Sequence, residues 1–172
     1  MKQLVVLLAV ACGHAHDHAP PATPHTESFT RWTAVHEVFV EHPPLVAGRP
    51  TTFAAHVTRL VKHAPVTTGK LTLILRSSSA PIEAVANAPV RPGIFQPTLT
   101  PAAAGPCTLT LRLEDGAERD EVTTECEVHA PNTKLPAPAE DPPGRIRFTK
   151  EIAWSTELAT EVAAERELGP TL

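Results

Sequence analysis

Tyrosine is absent, methionine occurs once, and aromatic residues make up only 4% of the chain. So few rings leave no phenolic acid for catalysis and no stacking platform for unpaired bases. Lysine and arginine total 15 against 19 acidic residues and form no long basic run. Neither a nucleic-acid groove nor a polybasic membrane patch is indicated. The longest apolar run, Leu4 to Cys12, is far short of the roughly 20 residues that span a bilayer. Eight glycines against 19 prolines argue for rigid, extended connections. Catalytic signatures are missing as well, with no nucleophile elbow, glycine-rich phosphate loop or paired metalloprotease histidines. Ser77-Ser78-Ser79 sits in an evident turn, and Glu37 and Glu41 read as the solvated face of an edge strand. The composition points away from an enzyme.

What the chain does have begins at its start. A short apolar run behind Lys2 closes on small residues, Ala9-Val10-Ala11, immediately before Cys12. That pattern reads as an export signal over residues 1–12 of the lipoprotein type, in which Cys12 is lipidated and anchors the protein to a membrane from the periplasmic side; a plain hydrophobic N-terminus is the alternative. Residues 13–28 are small, polar and proline-punctuated, without apolar periodicity, and are expected to form a disordered tether. This tether carries His14, His16, Asp17, His18 and His25. Imidazole is the commonest side-chain ligand of borderline cations, and a flexible backbone can wrap an ion at this spacing. These five residues are therefore candidate metal ligands for zinc, cobalt, cadmium, nickel, copper or silver, although no cofactor is firmly implied. A polar tether also stays solvated without any ion, and composition alone does not name the metal.

From about Phe29 the pattern becomes period-2. Phe53, Ala55 and Val57 alternate with His56 and Thr58, Leu71, Leu73 and Leu75 with Thr72, Ile74 and Arg76, and Leu109, Leu111 and Leu113 with Thr108, Thr110 and Arg112. Thr33–Glu41, Ile94–Leu99 and Glu121–His129 are further strand candidates. Alternation of this kind marks half-buried antiparallel strands, and the intervals hold Pro43-Pro44, Gly48-Arg49-Pro50, Thr68-Gly69, Arg91-Pro92-Gly93 and Asp115-Gly116 as turns. Six or seven short strands over roughly 100 residues predict a mainly β fold, an immunoglobulin-like antiparallel β-sandwich at 29–130. A proline-rich linker at 131–144 follows, and residues 145–172 read as the beginning of a second β domain. His56 falls on the predicted outer face, where it is expected to be exposed; His36, His63 and His129 have no partners that the pattern can place.

Cys107 and Cys126 lie on the two arms of a hairpin turning at Asp115-Gly116-Ala117-Glu118. A symmetric register pairs residue 113 with 120 and hence 107 with 126. Directly opposed residues have Cα atoms roughly 4.5–5.5 Å apart, within disulfide range. A disulfide is expected outside the cytoplasm; two buried thiols are the alternative, because a slip of one residue separates them.

Taken in order, Thr33–Glu41, Pro43-Pro44-Leu45-Val46-Ala47-Gly48, Phe53–Leu60, Pro65-Val66-Thr67-Thr68-Gly69, Ala88–Phe95 with Pro97, and Ile146-Arg147-Phe148-Thr149-Lys150-Glu151 with Trp154 and Leu158–Glu161 resemble a known family. It is the periplasmic adaptor (membrane fusion, HlyD-like) subunit of heavy-metal RND efflux pumps of the cobalt-zinc-cadmium and copper-silver type. The resemblance covers residues 29–163 and implies the N-terminal portion of such a subunit. It also implies two partners, an inner-membrane proton-driven pump and an outer-membrane channel, with capture or delivery of the cation. The helical hairpin, lipoyl domain and β-barrel of that family have no counterpart here, so either the chain is a truncated adaptor or the sandwich works alone.

Overall fold

The computed structural model describes residues 25–135, 144, 146, 148–157 and 162–165. The export signal with Cys12, the tether through residue 24 and most of the 131–144 linker lie outside that set.

The fold is mainly β, two facing sheets around one core. The first sheet runs β1 (Glu27–Trp32), β2 (His36–His42), β5 (Ala54–Arg59) and β6 (Ala64–Pro65), with β9 (Ile94–Phe95) also paired to β5. The second runs β3 (Leu45–Val46), β12 (Glu118–His129), β11 (Gly105–Asp115), β7 (Lys70–Arg76) and β8 (Ile82–Ala86). A small pair, β4 (Thr51–Thr52) and β10 (Thr98–Leu99), bridges one edge. The expected alternation carries the core. Val38, Val40, Ala55, Val57 and Phe95 point inward from one sheet, and Leu71, Leu73, Leu75, Leu109, Leu111 and Leu113 from the other. Each fully buried Leu or Val of this set contributes roughly 1.5–3 kcal/mol of transfer free energy.

Two prolines close the sandwich. Pro43 and Pro44 have no N–H to give a ladder, so the strand cannot continue past His42 in the first sheet. It crosses over and resumes as β3, parallel to the end of β12, with Leu45 beside Val128 and Val46 beside His129. An early strand split between the sheets, its second half β3 parallel to the last strand β12, is an immunoglobulin-like arrangement. β1 and β8 are edge strands that the alternation alone did not expose. Glu27 and Ser28, assigned to the tether from sequence, are paired in β1 opposite His42 and Glu41. β2 in turn lies between β1 and β5 and is not an edge strand, which corrects the expectation for Glu37 and Glu41.

Beyond the linker, α1 (Lys150–Ser155) is a short helix capped by Thr149, whose Oγ1 accepts from the Ile152 N–H. It is seated on the outer face of the first sheet. Lys150 Nζ donates to Glu37 Oε1 at 2.6 Å, and Trp154 Nε1 donates to Thr58 Oγ1 at 2.8 Å. The Trp154 ring also packs so closely on Gly93 that a Cβ there would collide with it. This contact overturns one sequence expectation. His56 and Thr58 do face outward from β5, but the helix covers them, and they are 7% and 3% exposed. Trp32 is 64% exposed, so shielded tryptophan emission comes from Trp154. Trp154→Ala is expected to red-shift the fluorescence and to cost about 2 kcal/mol, from the lost ring contact and hydrogen bond. Unchanged emission and stability would mean that the helix does not dock.

Gly69 sits before β7 at φ +100°, in the left-handed half of backbone space, and a Cβ on it would run into the Glu114 carbonyl oxygen. Both the backbone strain and the collision oppose a side chain. Gly69→Ala is expected to lower the urea midpoint by the equivalent of about 2 kcal/mol or more. Its effect falls at Glu114 and Asp115, at the β11–β12 turn.

Candidate metal centre

At one end of the sandwich the start of β2, the end of β5 and the tip of the β11–β12 hairpin converge. Gly116, at φ +63°, allows the tight reversal between Asp115 and Glu118. That reversal points both carboxylates, with Asp120, at the first residue of β2. This residue is His36, in phase with Val38 and Val40 and therefore directed inward, with no measurable exposure.

His36 is held from two directions. Thr33 makes a turn just ahead of it, the His36 N–H donating to Thr33 Oγ1 at 2.8 Å and the Thr33 N–H to the His36 carbonyl at 2.8 Å. Its ring Nδ1 lies 2.5 Å from Asp120 Oδ2, which also accepts from Thr33 Oγ1 at 2.9 Å. A carboxylate accepts, so with a neutral ring the proton sits on Nδ1 and the lone pair on Nε2. Nε2 faces Asp115 Oδ2 and Glu118 Oε2, both at 3.6 Å. Arg59, at the end of β5, contacts these same two oxygens, Asp115 Oδ2 through Nη2 and Glu118 Oε2 through Nη1 at 3.5 Å. Thr68 Oγ1 lies 3.4 Å from the other Asp115 oxygen.

Two features set this cluster apart from a surface salt-bridge patch. Among the described residues three buried side-chain polar atoms have no hydrogen-bond partner, and two of them, His36 Nε2 and Glu118 Oε2, face each other here. Such orphans are uncommon in folded proteins and call for a partner. The cluster is also rich in carboxylates, since Asp115, Glu118 and Asp120 all face the His36 ring and Arg59 is the one guanidinium among the described residues that contacts them. His36, Asp115 and Glu118 form the one group among the described residues whose ligating atoms, all within 4.8 Å of one another, could hold a metal ion. A carboxylate on the far nitrogen of a ligating histidine is the usual support of a protein metal site, and Asp120 occupies that place.

The other histidines have different roles. His42 is a core residue, its ring 4.7 Å from Phe53 and its Nδ1–H donating to the Pro43 carbonyl at 2.8 Å. His56 lies between Phe39 and Trp154, flanked by Glu41 and Glu151. Burial depresses both below the ordinary histidine value of 6.5; Glu27 opposes the shift at His42, while Glu151 and Glu41 oppose it at His56. Below pH 6.5 the unfolded chain therefore binds protons that the folded one refuses. Stability from these two groups is complete above 6.5 and is lost as pH falls through their depressed folded values. A series of urea transitions from pH 7.5 to 5 should show this decline, and His42→Gln with His56→Gln should flatten it.

Of the sequence-derived ligands, His14, His16, Asp17 and His18 lie outside the described residues. His25 is half-buried just ahead of β1 and belongs to no ligand group among the described residues. Cys107 and Cys126 are opposed in the β11–β12 ladder, their Cα atoms 4.8 Å apart and their sulfurs bonded. No thiol from this pair is free to ligate. Sequence reasoning missed the His36 cluster, although two signals pointed to it, the inward phase of His36 with Val38 and Val40 and the acid-dense turn from Glu114 to Glu121. Among the described residues no helix is long and apolar enough to cross a membrane. No protein-family model matches the chain, and a search of curated proteins finds none similar to it in sequence.

Proposed function

We propose that this protein is a periplasmic, membrane-tethered metal-handling module that binds a divalent transition-metal cation at His36, Asp115 and Glu118. The observation that carries the proposal is the buried, unpartnered Nε2 of His36 aimed at two carboxylate oxygens, with Asp120 fixing the opposite nitrogen. The 3.6 Å separations from nitrogen to each oxygen are close to the roughly 3.4 Å between neighbouring ligands of a tetrahedral ion with bonds of about 2.1 Å. One imidazole and two carboxylates form a borderline-to-hard donor set. It suits zinc, cobalt or nickel and disfavours the soft monovalent ions of copper and silver, which want sulfur.

Within this reading the tether imidazoles His14, His16, His18 and His25 raise the local cation concentration beside the sandwich, which needs only weak binding. Lipidation at Cys12 holds the assembly at the membrane. The sequence resemblance over residues 29–163 supports a place in heavy-metal efflux, as the N-terminal part of an adaptor between an inner-membrane pump and an outer-membrane channel. A second reading, a stand-alone periplasmic metal-binding or chaperone protein, is favoured by the site itself, whose donors all come from within the sandwich.

Thermal unfolding of the full chain with and without zinc tests the metal reading. A cation at 100 times its dissociation constant stabilises by about 2.7 kcal/mol, and the gain should vanish in His36→Gln. Equal stabilisation of both proteins would remove His36 from the account. Cross-linking in cells separates the two roles. Recovery of a proton-driven inner-membrane pump supports the adaptor, whereas intact metal binding without a pump supports the stand-alone protein.

A further inference from the structure

We infer that Arg59 is a resident counter-cation that occupies the metal centre through its guanidinium and is displaced when a divalent ion binds. The inference rests on the metal reading above and adds a regulatory device to it. Asp115 Oδ2 and Glu118 Oε2 are the two oxygens that face His36 Nε2, and they are also the two that Arg59 contacts. An ion bound to all three donors takes the oxygens that the guanidinium now holds, so both cations cannot be served at once.

The placement of Arg59 suits this exchange. The Asp115 side chain is 1% exposed and cannot leave, whereas the Arg59 side chain is 41% exposed and stands at the mouth. Released, its guanidinium enters water, where it is fully solvated, and the long stem can remain against the end of β5. The buried aspartate meanwhile is never without a positive partner, which spares the metal-free protein an unpaired interior charge. Metal affinity is lowered in proportion. If the guanidinium fills the site nine-tenths of the time, the apparent dissociation constant rises about tenfold over that of the open site. Such a centre takes up an ion and gives it back, as transfer requires, and is ill suited to permanent storage.

The test uses the full chain with His14→Ala, His16→Ala, His18→Ala and His25→Ala, so that the tether imidazoles do not compete for metal. Zinc affinity is measured against a chromophoric chelator for this parent, for Arg59→Gln, and for Arg59→Lys in case the glutamine variant folds poorly. Arg59→Gln is expected to bind zinc about tenfold or more tightly than the parent while unfolding at a lower temperature without metal. Arg59→Lys, with its charge kept but its fork lost, should fall between them. In the parent, zinc should also speed hydrogen exchange at the Arg59 guanidinium, read by NMR. If the parent binds zinc and the variants bind with equal or weaker affinity, the displacement idea is overturned and the metal reading stands. If parent and variants all fail to bind, both are overturned.

Discussion

Arg59→Met is expected to cost the metal-free protein about 3 kcal/mol, more than a typical surface substitution by a factor of several. The methionine keeps much of the stem packing, so the loss is electrostatic. Asp115 is 1% exposed at its side chain and is left beside Glu118 and Asp120 with no guanidinium to offset three carboxylates. Asp115 is the buried member of the pair, and removing its half-exposed partner leaves that carboxylate with its desolvation penalty uncompensated. Equilibrium unfolding in urea, with chelator present, gives the value. Saturating zinc should restore most of the deficit, since the ion supplies the missing positive charge at the same oxygens. A loss below about 0.5 kcal/mol would place the pair in the class of screened surface bridges and weaken the case for a built cluster.

Removing the disulfide by Cys107→Ala with Cys126→Ala is expected to lower stability by about 3 kcal/mol. The bond closes a segment of 19 residues, and the chain-entropy relation for a loop of that length gives about that figure. For a domain near 100 residues this corresponds to roughly 15 °C in the melting midpoint. The two cysteines tie β11 to β12, which are central in the second sheet and also carry Asp115, Glu118 and Asp120 at their shared turn. The candidate metal centre lies at the other end of this hairpin from the disulfide, so on the proposed reading the double variant should bind zinc normally once folded. A midpoint shift of only a few degrees would mean that the ladder alone, with Thr108 beside Glu125 and Leu109 beside Thr124, already constrains the unfolded chain as much as the bond does.

The sandwich was legible because its core strands obey a strict two-residue period. Leu71, Leu73 and Leu75 and Leu109, Leu111 and Leu113 announce an inner face, and Asp115-Gly116 announces the turn that sets their partners. Register followed from that turn, and it placed Cys107 opposite Cys126. Strands with weaker alternation were not legible. β8, Ile82–Ala86, has small residues at an edge where no deep burial enforces a period. β1 merges in composition with the polar tether before it.

The outer face of β5 could not be foreseen either. Its cover is a helix nearly 100 residues further along the chain, and nothing local to His56 signals Trp154. The candidate metal centre is the instructive miss. His36 was in phase with the core and three carboxylates crowded one hairpin tip, but a period places residues on faces, not at ends. Which loop ends meet is decided by sheet order, here β2 and β5 in one sheet against the β11–β12 turn of the other. The tether histidines stand out in sequence as a cluster, whereas His36 is isolated within a strand pattern and its carboxylate partners lie some 80 residues away along the chain.

The most direct test is NMR of the His36 imidazole in the full chain during titration with one equivalent of zinc. The account predicts that the His36 ring signals shift or broaden within the first equivalent, that this response is lost in Asp115→Asn, and that the His42 and His56 rings stay unperturbed. A titration in which the tether histidines respond while the His36 ring stays silent would contradict it.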